Sequence, residues 1–98
     1  MSTLHVLSHS PFTDTRLSSC LRLLGSADGL LLCGDAAYAL QPGTTLYGEL
    51  GARSGLKLYV LEEDLQARGL ELPTWAKAVD YTGFVDLSIE HDKVNTWL

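Results

Sequence analysis

The segment that most constrains the fold is Gly29–Cys33, which consists of one glycine, three leucines and a cysteine and contains no charged residue. Turn-forming residues bracket this segment, since Ala27-Asp28 precede it and Gly34-Asp35 follow it. A strand with one face in water alternates apolar and polar residues, whereas a strand covered on both faces does not. The segment therefore predicts a buried strand of a parallel sheet with helices on both faces.

Strand-like and helix-like segments alternate along the rest of the chain. Further strands are predicted at Thr3–Leu7, at Leu56–Leu61 and, over a shorter length, at Ala78–Tyr81. Such alternation is typical of an α/β domain with a parallel sheet. We expect a single domain over residues 1–98, a three-layer α/β/α arrangement around a mainly parallel sheet of four or five strands.

Leucines at helical spacing predict the first helix, which begins after Thr13 and has Gly25 as its expected C′ residue. These leucines are Leu17, Leu21 and Leu24. Two shorter helices are expected at residues 36–40 and 46–52, where turn residues end each helical segment.

The later helices have clearer end signals. Glu62–Asp64 place three carboxylates at the positive end of a helix dipole, and Arg68 and Gly69 supply a cation and a glycine at its other end. Thr82 is the expected N-cap of a final helix that extends towards His91. The same carboxylates are a candidate catalytic pair, although a solvated helix start is the commoner role of such a run.

Charge and motif content exclude several classes of function. Twelve Asp and Glu against seven Lys and Arg give a net charge of −5, which opposes tight binding of nucleic acid. Cys20 and Cys33 do not form the C-x-x-C pairs of a zinc site, and the glycines match neither phosphate-binding motif. We therefore expect no metal and no nucleotide cofactor.

Localisation is predicted from the absence of targeting signals. The apolar stretch Leu30–Cys33 is too short to cross a bilayer. Met1–Thr3 carries no basic residue and no long apolar segment follows it, so a secretory signal is not expected. The sequence predicts a cytoplasmic protein without membrane partners.

Cys20 is the candidate for sulfur or redox chemistry. It lies on the flank of the leucine stripe, and Arg16 lies one turn earlier on the same side, where a cation favours the thiolate. The functional interpretation is a persulfide carrier, and the alternative is a half-buried core residue that gains nothing from the helix dipole. Cys33 ends a buried strand and is expected to be a packing residue.

Other polar residues offer weaker candidates. His9 lies between Ser8 and Ser10 at a strand end, where a nucleophilic triad is conceivable, but the G-x-S-x-G elbow is absent. His5 and His91 are expected to be structural histidines, because neither has a carboxylate or second ligand beside it in the sequence.

The two tryptophans, Trp75 and Trp97, are expected to be apolar anchors. The last residues, Asn95–Leu98, place large apolar groups on a segment that would otherwise fray. This segment either folds back on the core or docks on another subunit.

Taken together, several segments resemble the TusB/DsrH family of sulfur-relay subunits. The most specific are Asp-Leu-x-Ala-Arg-Gly at residues 64–69 and Asp-Tyr-x-x-Phe-Val at residues 80–85. Leu4-His5, the segment from Gly29 to Asp35 and the terminal Trp-Leu occur in the same order. Cys20 matches a cysteine of DsrH-type members that some TusB-type members lack. The family usually has Asp-Gly followed by Val or Ile after the second strand, whereas this sequence has Asp35-Ala36-Ala37.

The resemblance implies a DsrE-like sheet and a hetero-oligomer with TusC/DsrF-like and TusD/DsrE-like subunits. Such complexes pass persulfide sulfur to a TusE/DsrC-type carrier. In the Tus branch the sulfur becomes the 2-thio group of wobble uridine in tRNA, whereas the Dsr branch oxidises stored sulfur. The main reactive cysteine belongs to the TusD/DsrE subunit, so the resemblance implies an auxiliary role for this chain, with Cys20 as a possible sulfur carrier.

Overall fold

The computed structural model describes residues 2–97 and contains one five-stranded sheet in the order β4-β3-β2-β1-β5. Every neighbouring pair of these strands is parallel. The strands are β1 (Thr3–Leu7), β2 (Gly29–Leu32), β3 (Lys57–Leu61), β4 (Lys77–Val79) and β5 (Lys93–Trp97). The predicted parallel α/β architecture is confirmed.

Four α-helices and one 3-10 helix of residues 2–97 connect the strands. The α-helices are α1 (Arg16–Leu23), α2 (Thr45–Ala52), α3 (Glu62–Ala67) and α4 (Tyr81–Glu90), and the 3-10 helix is Gly34–Leu40. No helix within residues 2–97 is long and apolar enough to span a membrane.

The order of the strands decides which face of the sheet each helix covers. The chain steps in one direction from β1 to β4 and then returns across the sheet to β5, so right-handed crossovers place α4 opposite the other helices. Side chains of α1, α2, α3 and the 3-10 helix form one core with Leu30 and Leu32 of β2. Leu31 points the other way and packs with Leu87 of α4. Consecutive β2 side chains therefore fill different cores, as expected of a strand.

Gly25 is the C′ residue of α1, as predicted, but its backbone is not left-handed. The helix ends at Leu23, and Leu24 already has extended backbone at φ −68° and ψ 121°. The Gly25 N–H instead donates to the Asp28 carboxylate at 2.9 Å. Gly69 does have the left-handed backbone expected after a helix, with φ +62°, and follows the end of α3.

The boundary between β4 and α4 also differs from the prediction. The strand ends at Val79, and Tyr81 is the first residue of α4 rather than the last of the strand. Asp80, not Thr82, is the N-cap, since its side chain accepts a hydrogen bond from the Gly83 N–H at 2.7 Å. Aspartate is a better N-cap than threonine, which accounts for the earlier start of the helix.

The C-terminal segment forms the edge strand β5, which pairs with β1 from Thr3↔Lys93 to Leu7↔Trp97. The sequence left open whether this segment folds back on the core or docks on another subunit. In the structure it folds back on its own domain. Leu98, the last residue of the predicted segment, lies outside the described residues. Four of the five residues of β5 are exposed, and Trp97 is half-buried.

Candidate functional site

The polar centre of the molecule is a chain of side-chain contacts from Trp97 through His5 to Asp28. Trp97 Nε1 donates to His5 Nδ1 at 3.1 Å, and His5 Nε2 lies 3.4 Å from Asp28 Oδ2. An indole N–H can only donate, so His5 Nδ1 must accept and the remaining proton sits on Nε2, directed at the carboxylate. His5 is buried in the middle of β1. The His5 imidazole therefore ties β5 to the turn that precedes β2.

Asp28 receives further hydrogen bonds from backbone N–H groups. Its two carboxylate oxygens accept from Gly25 N–H and Thr3 N–H, each at 2.9 Å. The pKa of Asp28 is lowered, first by the Gly25 N–H and then by those of Thr3 and the His5 ring, against an opposing effect of burial. Asp28 is thus held as a carboxylate that fixes the starts of β1 and β2. This role gives His5 the structural function predicted from the sequence.

Cys20 lies in the core between α1 and the sheet, and its side chain is completely inaccessible to solvent. Burial, and then the negative charge of Asp28, raise the pKa of the Cys20 thiol to about 11. The Arg16 side chain, expected to favour a thiolate, forms an ion pair with Asp14. In this setting the Cys20 thiol is buried and protonated at neutral pH, whereas a reactive cysteine is an accessible thiolate.

Cys33 follows β2 and is half-buried, on the opposite face of the sheet from Cys20. Its thiol donates to the Leu7 carbonyl at 3.4 Å. Burial, followed by the Asp64 carboxylate, raises the pKa of Cys33. Both cysteines are free, and their placement on different faces keeps them apart.

The predicted candidates at the strand ends do not assemble into a catalytic group. His9 is exposed, and the Ser10 hydroxyl accepts a hydrogen bond from the Phe12 N–H at 3.3 Å. His91 is half-buried at the end of α4, where Nδ1 donates to the Leu87 carbonyl at 2.7 Å. Within residues 2–97 no three metal-ligating side chains come together.

The three carboxylates of Glu62–Asp64 have separate roles at the start of α3. Glu62 accepts from the Gln66 amide at 3.2 Å, and Asp64 accepts from the Gly34 N–H at 2.8 Å. Glu62 and Glu63 also line an open cleft of about 250 Å³ beyond β3 and β4. Only Asp64 is half-buried, so the run does not form a buried acid pair.

The Asp-Leu-x-Ala-Arg-Gly segment has a clear structural role. Arg68 donates to Asp35 Oδ1 at 2.8 Å and to the Asp64 carbonyl at 3.1 Å, and its guanidinium lies 5.6 Å from the centre of the Tyr38 ring. These contacts join α3 to the 3-10 helix. Ala36 and Ala37, which differ from the residues usual in the family, are buried in the core.

Sequence reasoning missed the Trp97–His5–Asp28 contacts. His5 and Trp97 are 92 positions apart, and they meet only because β5 pairs with β1. The available signal was the tryptophan near the end of a mostly polar segment, which marked an anchor but not its partner.

The fold and these contacts define a small, all-parallel α/β domain whose buried polar groups hold strands together. The family model described as DsrH like protein matches residues 9–94. Protein TusB of Erwinia tasmaniensis is 38% identical over 96 residues, covering 96% of this chain and 99% of that protein. Protein TusB of Yersinia pestis is 39% identical over 97 residues, with the same coverage. The chain belongs to the DsrH family, and the resemblance predicted from its motifs is confirmed.

A solved structure supports the fold alone. The crystal structure of the ychN protein from E. coli aligns with a TM-score of 0.74 and 19% sequence identity. The alignment covers 99% of this chain and 100% of that chain. The arrangement of strands and helices is therefore found in a protein of distant sequence.

Proposed function

We propose that this chain is a subunit of a sulfur-relay complex that serves tRNA thiolation. The observation that carries the proposal is membership of the DsrH family, together with similarity to TusB proteins over nearly the whole chain. Similarity to TusB proteins favours the tRNA branch over the alternative, a DsrH-type role in the oxidation of stored sulfur.

The chain acts as an auxiliary subunit rather than as the main sulfur carrier. A persulfide forms on a thiolate, and low pKa and access to solvent make a thiolate reactive. Cys20 has no exposed surface and a pKa of about 11, and burial also raises the pKa of Cys33. Both properties support a reactive cysteine on another subunit.

The proposed partners are a TusC/DsrF-like and a TusD/DsrE-like subunit. The thiolate of a TusE/DsrC-like carrier attacks the outer sulfur of a persulfide on the TusD-like cysteine. The carrier thereby gains the persulfide, and the TusD-like cysteine leaves as a thiolate. The net charge of −5 supports a complex in which this chain does not hold the tRNA.

Deletion of the gene, with 2-thiouridine in tRNA measured by mass spectrometry, tests the proposal. We expect loss of the modification and its restoration by wild type and by Cys20→Ala. Unchanged 2-thiouridine in the deletion strain would contradict a role in tRNA thiolation, and a simultaneous loss of sulfur oxidation would favour the Dsr branch.

Intact-mass measurement after incubation with a persulfide donor separates the auxiliary role from the carrier role. We expect no added sulfur on this chain under conditions that load the TusD-like subunit. A gain of one sulfur that disappears in Cys20→Ala would instead make Cys20 a carrier. Circular dichroism of Cys20→Ala, compared with wild type, verifies that the variant is folded.

A further inference from the structure

The outer face of α4 carries an exposed apolar row. Tyr81, Val85 and Ile89 are spaced by four residues, so they follow one another along one side of the helix. Their exposed fractions are 60%, 54% and 76%. We call these three residues the α4 stripe.

The α4 stripe is separate from the side of α4 that packs on the sheet. Leu87 is buried against the sheet and Phe84 packs beside it. A helix on a protein surface normally directs charged or polar residues outwards. A helix that is apolar on both sides is expected where a second surface covers the outer side.

An exposed valine on β5 adds to the apolar surface on this side of the sheet. Val94 is paired with Leu4, whose side chain lies in the core beneath α4, so Val94 points to the α4 side. It is 44% exposed. The α4 side of the sheet thus combines a single covering helix with uncovered apolar side chains on that helix and on the edge strand.

The flank of the α4 stripe that faces β4 carries two carboxylates and one lysine, Lys77, which lines the same cleft. Asp86 and Glu90 are exposed, and they are four residues apart on the same side of α4. An antiparallel, two-fold contact between two copies through the α4 stripe would place this acidic flank opposite its own copy. Two chains with a net charge of −5 each also repel at longer range. The charges therefore disfavour a second copy and favour a partner with basic residues around an apolar patch.

We infer that the α4 stripe docks on a different subunit of the complex, at an apolar surface flanked by Lys or Arg that face Asp86 and Glu90. This inference rests on the proposed function for the existence of the partners. The inference adds to the proposed function that the α4 stripe is the surface covered by the partner and that the partner's surface is basic around an apolar patch.

The experiment measures binding of this chain to co-expressed TusC-like and TusD-like chains by calorimetry and size exclusion. The double variant Val85→Glu/Ile89→Glu is expected to raise Kd about 100-fold, as is typical for a disrupted interface centre. Leu23→Glu is the matched control, because Leu23 is 70% exposed on α1 and faces away from α4. It is expected to change Kd by less than about threefold.

Charge reversal tests the acidic flank. Asp86→Lys/Glu90→Lys is expected to weaken binding about tenfold at low salt, and less at high salt because ions screen exposed charges. Circular dichroism and thermal unfolding verify that all variants fold. The milder variant Ile89→Gln, expected to raise Kd about tenfold, provides a second measurement if the double variant does not fold.

The outcomes distinguish this inference from the proposed function. If wild type binds its partners and the stripe variants bind equally well, the docking surface is wrong while the sulfur-relay role remains. If wild type binds neither partner chain, the proposed function fails and the docking inference fails with it. If wild type alone forms a dimer that the stripe variants break, the occupant is a second copy, which overturns the choice of partner.

Discussion

The two faces of the sheet are built differently. On one face α1, α2, α3 and the 3-10 helix enclose a broad apolar core, and the outer side of α3 carries Glu62, Glu63 and Gln66. On the other face α4 alone covers the sheet, over a smaller core, and its outer side is the apolar α4 stripe. Buried apolar side chains stabilise the fold on both faces, but on the second face the outer side of the covering helix also carries apolar side chains, which remain in water. The difference between the outer sides of α3 and α4 supports the inference that the α4 stripe is a docking surface.

Neighbouring leucines of β2 provide the strongest test of this difference. Leu30 and Leu31 are both completely buried, but they point into the larger and the smaller core respectively. Leu30→Ala is expected to lower the free energy of unfolding by about 3–5 kcal/mol, and Leu31→Ala by about 2–3 kcal/mol, because a core under one helix relaxes more easily around a cavity. Urea unfolding measures both. Equal losses would mean that the two cores are equally rigid.

A pair of leucines on α1 tests the same point within one helix. Leu21 is buried against the sheet, whereas Leu23 is 70% exposed. Leu21→Ala is expected to cost roughly 2–4 kcal/mol. Leu23→Ala is expected to change stability by less than about 0.5 kcal/mol. Thermal unfolding of the two variants under identical conditions provides the comparison, and a loss near zero for Leu21→Ala would contradict the packing of α1.

The sequence predicts well those parts of the fold that local patterns control. The uninterrupted apolar run in β2 identifies a strand covered on both faces, and Gly69, with its left-handed backbone, marks the end of α3. Gly25 follows the C-cap of α1 as its position predicts, but the hydrogen bond from its N–H to Asp28 is a contact that the local pattern did not predict.

The polar centre depends on long-range pairing, which no local pattern encodes. His5 is bonded to Trp97 only because β5 lies beside β1, and the polar Lys93–Trp97 segment lacks the apolar alternation of a half-buried strand. The burial of Cys20 and the direction of its pKa shift could not be predicted from the sequence either. Helical spacing placed it near Arg16, but the raised pKa comes from burial and from Asp28, which is brought close by the fold.

The pH dependence of stability tests the Asp28 anchor, which lies on the α1 side of the sheet. The pKa of Asp28 is lower in the folded state than the value of about 3.9 expected when unfolded. Ionised Asp28 therefore contributes stability that is present above the unfolded pKa and lost as the pH falls through the lower, folded pKa. We expect wild type to lose stability below about pH 4, and Asp28→Asn to be less stable at pH 7 by about 1–2 kcal/mol.

Acid unfolding curves of wild type and Asp28→Asn, followed by circular dichroism, measure this dependence. Asp14→Asn is a suitable control because Asp14 pairs with Arg16 near the surface and does not join two strands. A stability difference between wild type and Asp28→Asn that stays constant from pH 7 to the acid transition would contradict the proposed role of the carboxylate.

The smallest expected effect on stability is at the α4 stripe. Ile89 is 76% exposed, so Ile89→Gln removes little buried apolar surface and is expected to change the free energy of unfolding by less than about 0.5 kcal/mol. The same substitution is expected to weaken association with the partner chains. Substitution of an ordinary core residue would lower the stability of the fold. Substitution of an ordinary surface residue would change neither stability nor binding. Loss of binding without loss of stability would therefore identify an apolar side chain that contributes to the assembly and not to the fold of the single chain.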